Sequence, residues 1–456
     1  MSMNRKSKIL RRIRVMHAGR GLWRQRMVFW VGALAIGLVS VLFAKASDMA
    51  QEVFGHITTS GRFAYLLPLV LTPAGFATSA WLAFRYFPNS QGSGIPQAIA
   101  ARHFRDPESR SHLLSLRLAV GKFFLTVFGI LCGASIGREG PTVQIGASIM
   151  LRAARMGGVV QAKGLILAGS AAGIAAAFNT PLAGIVFAIE EMSRNFEIRA
   201  NGAVLTAVIL SGLAALGLLG DYHTYFGSTN DVMGGLRDWW LVLLGGVGGG
   251  AVGALFSSSV LWLTIRLKRW RQAQPVRRLV IIAAGFGFLV ALIGLLSGGL
   301  TFGTGYAQAR GALQGTPLPP FFFVEKLLAT FLSSMAGIPG GLFAPSLSVG
   351  AGIGSTIGLL IGTNTGIAAL LGMAGYFAGV VQAPMTAFVI ILEMTDSHAN
   401  VIALMAASML GYLTSRLLSP EPLYHGLSRA YIADVIRHQR GQTRADEGRE
   451  EKREPT

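Results

Sequence analysis

The chain has 456 residues and a mass of 48.3 kDa, with 52% hydrophobic residues, only 13% charged residues and a mean hydropathy of +0.52. A soluble domain carries roughly 25% charge, so this chain lacks the polar groups to wet a compact water-soluble surface and reads as an all-α polytopic membrane protein. Its single cysteine, Cys132, excludes a disulfide scaffold, and its 59 glycines follow no collagen-like period.

Much of the net charge of +19 lies at the start, where Met1 to Arg26 holds nine Lys/Arg and no acid. An apolar run at 27–44 follows. It is nearer a full span than a signal-peptide core, and no small-residue cleavage pattern precedes Asp48. Residues 1–26 are therefore expected to be a basic cytoplasmic segment, explained by the positive-inside rule without a nucleic-acid partner.

Further apolar stretches lie at 63–84, 113–134, 143–151, 164–192, 201–219, 239–265, 279–300, 321–335, 343–360, 366–393 and 400–417. A clean span needs about 20 residues. Several stretches are too short and others are interrupted by Gly, Pro or Asn, which predicts broken and re-entrant helices. Glycine clusters such as Gly245 to Gly250 and Gly337 to Gly341 serve either close helix contact or such breaks. The acid-free block from Arg266 to Arg278 reads as a second cytoplasmic loop. The tail, 431–456, is expected to be short, cytoplasmic and largely disordered, which puts both termini on one side.

An internal repeat lies within 27–430, the predicted transmembrane domain. Ala168 to Glu190 aligns with Leu371 to Glu393, pairing Pro181 with Pro384 and Glu190 with Glu393 at an offset of 203. Upstream, GREGP at Gly137 to Pro141 aligns with GLFAP at Gly341 to Pro345 at an offset of 204. The halves are about 60–217 and 275–417, and alignment alone leaves open whether they are parallel or inverted. Repeated halves with helices broken at corresponding places predict a binding site at their interface near the membrane midplane.

Three segments share one pattern: Gly92-Ser93-Gly94-Ile95-Pro96, Gly137-Arg138-Glu139-Gly140-Pro141 and Gly341-Leu342-Phe343-Ala344-Pro345. Glycine lets the chain turn sharply, and proline suits the first helical turn, where a missing N–H costs nothing. Helix N-termini expose unpaired N–H groups and a positive dipole end. Three of them converging would bind an anion weakly enough for passage, where a buried cation would hold it too tightly. Taken singly, each could be a tight turn between packed helices. Glu139 is an intramembrane carboxylate, a functional candidate by its cost alone, although Arg138 beside it could serve as an ion-pair partner.

These motifs, with AAAFNTPLAG at Ala175 to Gly184, APMTAFVIILEMT at Ala383 to Thr395 and a late Pro422-Leu423-Tyr424, resemble the chloride channels and chloride/proton exchangers called CLC proteins. The resemblance covers about residues 60–430 and is to the prokaryotic, exchanger-like type without C-terminal nucleotide-sensing domains. It implies two inverted-topology repeats of tilted and broken helices, and a homodimer with one pore per subunit. The implied activity is chloride/proton antiport, with two chlorides per proton. The alternative is a passive voltage- or pH-gated chloride channel. An inner-membrane location is implied, without a cofactor, metal, nucleic acid or obligatory protein partner beyond a second copy of the chain. The HExxH and P-loop motifs are absent, and the chain does not read as an enzyme.

The resemblance also assigns residues. Ser93 and Tyr424 correspond to the hydroxyls that donate to the central chloride, and backbone N–H groups around Gly140, Leu342 and Phe343 complete the coordination. Serine at position 93 corresponds to chloride-selective members, where proline accompanies nitrate selectivity. Glu139 corresponds to the external gating glutamate. Glu191 corresponds to the internal proton-transfer glutamate of exchangers, and Glu190 to the acid beside it. Within the repeat, Glu393 mirrors Glu190 but Met394 stands opposite Glu191, so the second acid belongs to one half only.

Overall fold

The computed structural model describes residues 5–158, 162–193, 202–219, 226–229 and 231–450. Its helices in chain order are α1 (Arg5–Thr59), α2 (Pro68–Tyr86), α3 (Ile95–His103), α4 (Pro107–Leu113), α5 (Leu116–Leu131), α6 (Glu139–Gly157), α7 (Ala162–Phe178), α8 (Pro181–Phe187) and α9 (Gly202–Leu219). The second half carries α10 (Leu236–Arg271), α11 (Pro275–Leu296), α12 (Tyr306–Leu313), α13 (Phe322–Met335), α14 (Phe343–Ile361), α15 (Thr365–Val381), α16 (Pro384–Thr395), α17 (Val401–Leu418) and α18 (Leu423–Glu450). A π-helical turn, Ala188–Ser193, extends α8.

Among the described residues, seven helical segments are long and apolar enough to cross a membrane. The molecule is a multi-pass membrane protein. Its outward face carries large apolar side chains such as Val70, Leu360 and Leu417, as a lipid-facing surface requires.

The predicted helix breaks occur where glycine and proline mark them. Gly94 takes a left-handed φ of 104°, open to glycine at little cost, and α3 starts immediately after it with Pro96 in its first turn. α6 and α14 start at Glu139 and Phe343, each within two residues of its motif's proline. Both are 19 residues long, and α7 and α15 are both 17.

Gly245 to Gly250 has the other use. α10 runs unbroken through it, and its glycines let α10, α15 and α17 meet backbone to backbone. A Cβ at Gly375 would stand 2.1 Å from the Gly245 carbonyl oxygen, and one at Gly411 only 2.2 Å from that of Gly375. Contacts that close are how small residues hold membrane helices together.

Candidate functional site

The three glycine-broken motifs meet in the interior. Gly137 and Gly341 exchange backbone hydrogen bonds in both directions, at 2.8 and 2.7 Å. The Gly92 N–H donates to Ile338 O at 3.0 Å, and the Gly340 N–H donates back to Gly92 O at 3.1 Å. These short pairings tie the turns before α3, α6 and α14 to one another. None of the three helices is capped by the side chain of its N-cap residue, so their first-turn N–H groups are left for other acceptors.

Ser93 lies directly on the start of α6, where a Cβ on Gly140 would come within 2.2 Å of Ser93 Oγ. Only glycine at 140 allows this approach. Tyr424, at the start of α18, is fully buried with its ring 5.8 Å from that of Phe343, and its hydroxyl lies beside Ser93 with Glu191 and Glu139 nearby. Neither Ser93 Oγ nor Tyr424 Oη has a well-formed hydrogen bond among the described residues. A buried hydroxyl without a well-formed hydrogen bond is costly, so these two neighbouring hydroxyls fit a site for an anionic acceptor. Phe343 is itself caged by Phe178, Phe187 and Phe377, and Leu342 lines the cavity described below.

Glu139 is fully buried. One carboxylate oxygen accepts from the Ala344 N–H at 3.3 Å, and the other accepts from the Tyr306 hydroxyl. The carboxylate thus occupies the N-terminus of α14. Arg138 donates to Ala44 O at 2.7 Å and to Asp48 at 2.5 Å, both on α1.

Glu191 is also fully buried, on the π-helical turn, and its backbone oxygen is 2.9 Å from His425 Nε2. Glu190 points elsewhere. Its two oxygens accept from the Met385 and Thr386 N–H groups at 3.1 and 2.6 Å, at the start of α16. Glu393 does the same for α8, accepting from Leu182 and Ala183 at 3.2 and 3.0 Å. Each half therefore supplies the carboxylate that caps a helix of the other. An acid at the C-terminal end of its own helix is unfavourable, but these carboxylates complement the partner helix's positive end.

A cavity of about 370 Å³ leads to Ser93 from the side of α10 and α18, lined by Gln91, Gly92, Gly340 and Leu342 within and by Lys268, Arg271 and Asp434 further out. Gln97 steadies the approach by donating to Gln91 O at 2.7 Å and to Tyr431 Oη at 3.1 Å.

Sequence reasoning missed two buried lysines. Lys122 Nζ donates to Ser90 O and Gly92 O, both at 2.7 Å, in the turn before Ser93. Lys326 Nζ donates to Thr301 O at 2.9 Å and Gly303 O at 2.7 Å, in the turn before α12. They stand 204 residues apart, at the repeat offset, and that was the available signal. A buried amine therefore lies close behind the first motif, and the polar groups around the site are not helix ends and hydroxyls alone.

Helix N-termini converging on buried hydroxyls, with two buried carboxylates, inside a multi-pass bundle define a membrane transporter of small anions. The chain belongs to the family described as voltage gated chloride channel, whose model matches residues 74–416. It is 32% identical over 418 residues to the H(+)/Cl(-) exchange transporter ClcA of Salmonella typhimurium, covering 86% of this chain and 85% of that one. Among solved structures it resembles a slow cyanobacterial Cl-/H+ antiporter, with a TM-score of 0.77 and 24% identity over 90% of this chain and 98% of the other. It also resembles a CLC-type fluoride/proton antiporter, with a TM-score of 0.72 and 25% identity over 89% and 98%.

Proposed function

We propose that this chain is a secondary active chloride/proton antiporter of a bacterial inner membrane, in which Glu139 is both gate and proton acceptor. The observation that carries this reading is the Glu139 carboxylate at the N-terminus of α14, next to two buried hydroxyls without a well-formed bond. Ionised, the carboxylate imitates the transported anion. Protonated, it loses its attraction to the helix dipole and leaves, and chloride takes the N–H groups. Ser93 and Tyr424 then donate to chloride at the centre, with the backbone around Gly140, Leu342 and Phe343 completing its shell. Chloride reaches this centre through the cavity beside Lys268 and Arg271, where basic side chains raise the local anion concentration.

Glu191 is the second proton station, buried near Tyr424. Glu190 fixes the π-helical turn that holds Glu191 by anchoring it to α16. A passive channel needs no second buried carboxylate, which favours exchange.

The two halves are read as inverted repeats. Reciprocal pairing supports this, since contacts of the form Glu190–α16 and Glu393–α8 are what a local twofold axis produces. The chain is read as a homodimer with one pore in each subunit and both termini cytoplasmic. The contiguous α8, α9, α16 and α17 expose Leu182, Leu213, Ile402 and Met409, an apolar face suited to a second copy.

Simultaneous chloride and proton flux from purified protein in liposomes tests the mechanism. A chloride gradient is expected to drive protons uphill in the wild type, and Glu139→Gln is expected to keep chloride flux while losing proton movement. Coupled proton transport in Glu139→Gln would contradict the gate assignment.

A further inference from the structure

The turn before α12, Gly303-Thr304-Gly305-Tyr306, has the form of Gly92-Ser93-Gly94-Ile95 before α3. In both turns the two glycines have positive φ, 68° and 104° in the first and 69° and 84° in the second. The hydroxyls differ. Ser93 lacks a well-formed partner, whereas Thr304 donates through N–H and hydroxyl to Gln51 of α1, both at 3.1 Å. With Lys326 holding Thr301 O and Gly303 O, the second turn is fixed from two sides and leaves the first residue of α12, Tyr306, in one place.

From there the Tyr306 hydroxyl donates to Glu139. Its ring packs edge-on against Phe226 at 4.7 Å, and the Arg138 guanidinium lies 5.3 Å from the ring centroid. A cation over the ring face is attracted to it and draws electron density from the phenol, making its O–H a stronger donor. The Arg138 guanidinium is in turn fixed by Asp48.

We propose that Tyr306 is a latch on Glu139, a positioning residue whose hydroxyl holds the ionised carboxylate at the N-terminus of α14 and so sets the pH at which the gate opens. A donor to the charged form favours that form, so the latch delays opening until the pH is lower. Among the described residues, the other charged or titratable groups around the carboxylate are Arg138 at the N-cap of its own helix, paired with Asp48 of α1, Lys326 of α13 behind the Gly303 turn, and Tyr424 of α18 with Glu191 beyond it. Among the described residues, α14 contributes the Ala344 backbone N–H.

The latch rests on Glu139 being the gate, and the two ideas separate experimentally. Chloride and proton flux would be followed against pH in liposomes containing wild type, Tyr306→Phe, Glu139→Gln or the double variant. Phenylalanine keeps the ring contacts and removes only the donor. Tyr306→Phe is expected to raise the pH midpoint of chloride flux by about one unit and retain coupled proton movement. In the Glu139→Gln background it is expected to change nothing. An unchanged midpoint, a shift that persists in the double variant, or loss of flux at every pH would overturn the latch. Proton movement in Glu139→Gln alone would overturn the gate, and the latch with it.

Discussion

The roles proposed for Ser93 and Glu191 each rest on a single side chain. Ser93 Oγ is pressed against Gly140 and has no well-formed bond of its own, so an anion at the centre is the acceptor its burial calls for. Replacing it with proline removes the donor and is expected to move preference from chloride toward nitrate, measured as the ratio of the two fluxes. An unchanged ratio would take selectivity away from this residue. Glu191→Gln keeps the shape of the side chain but not its titration. Proton flux is expected to fail while chloride flux continues, and unaltered coupling would reduce Glu191 to a packing residue.

At the scale of elements, the broken helices were legible and the ties between them were not. Starts at Ile95, Glu139 and Phe343 follow from glycine and proline, whose backbone limits act locally. The repeat showed Glu190 and Glu393 to be equivalent, but their hydrogen-bond partners lie 195 or more residues away and depend on how the halves cross. Gly245 to Gly250 was undecidable for the same reason, because packing glycines differ from breaking ones only in their neighbours. The reciprocal caps carry their own expectation. Glu393→Gln weakens a charge-assisted contact with the start of α8 by about 1 kcal/mol, lowering the thermal midpoint in detergent while leaving proton coupling intact. Loss of coupling with no change in stability would instead place Glu393 on the proton route.

For the whole molecule, low charge content meant more than membrane residence. The few ionisable groups kept inside are placed, with Glu139 at α14, Glu191 near Tyr424, and Lys122 and Lys326 under the turns before α3 and α12. The acids were legible because a carboxylate in an apolar stretch is conspicuous. The lysines and Tyr306 were not, because their meaning lies in carbonyls and a carboxylate brought to them by the fold. The central claim is that one site passes chloride and protons in opposite directions. Its most direct test is proton movement in sealed liposomes holding only purified protein and an imposed chloride gradient. Uphill proton transport that stops when chloride is replaced by an impermeant anion is the expected result. Chloride flux that dissipates its gradient while protons stay at rest would contradict it.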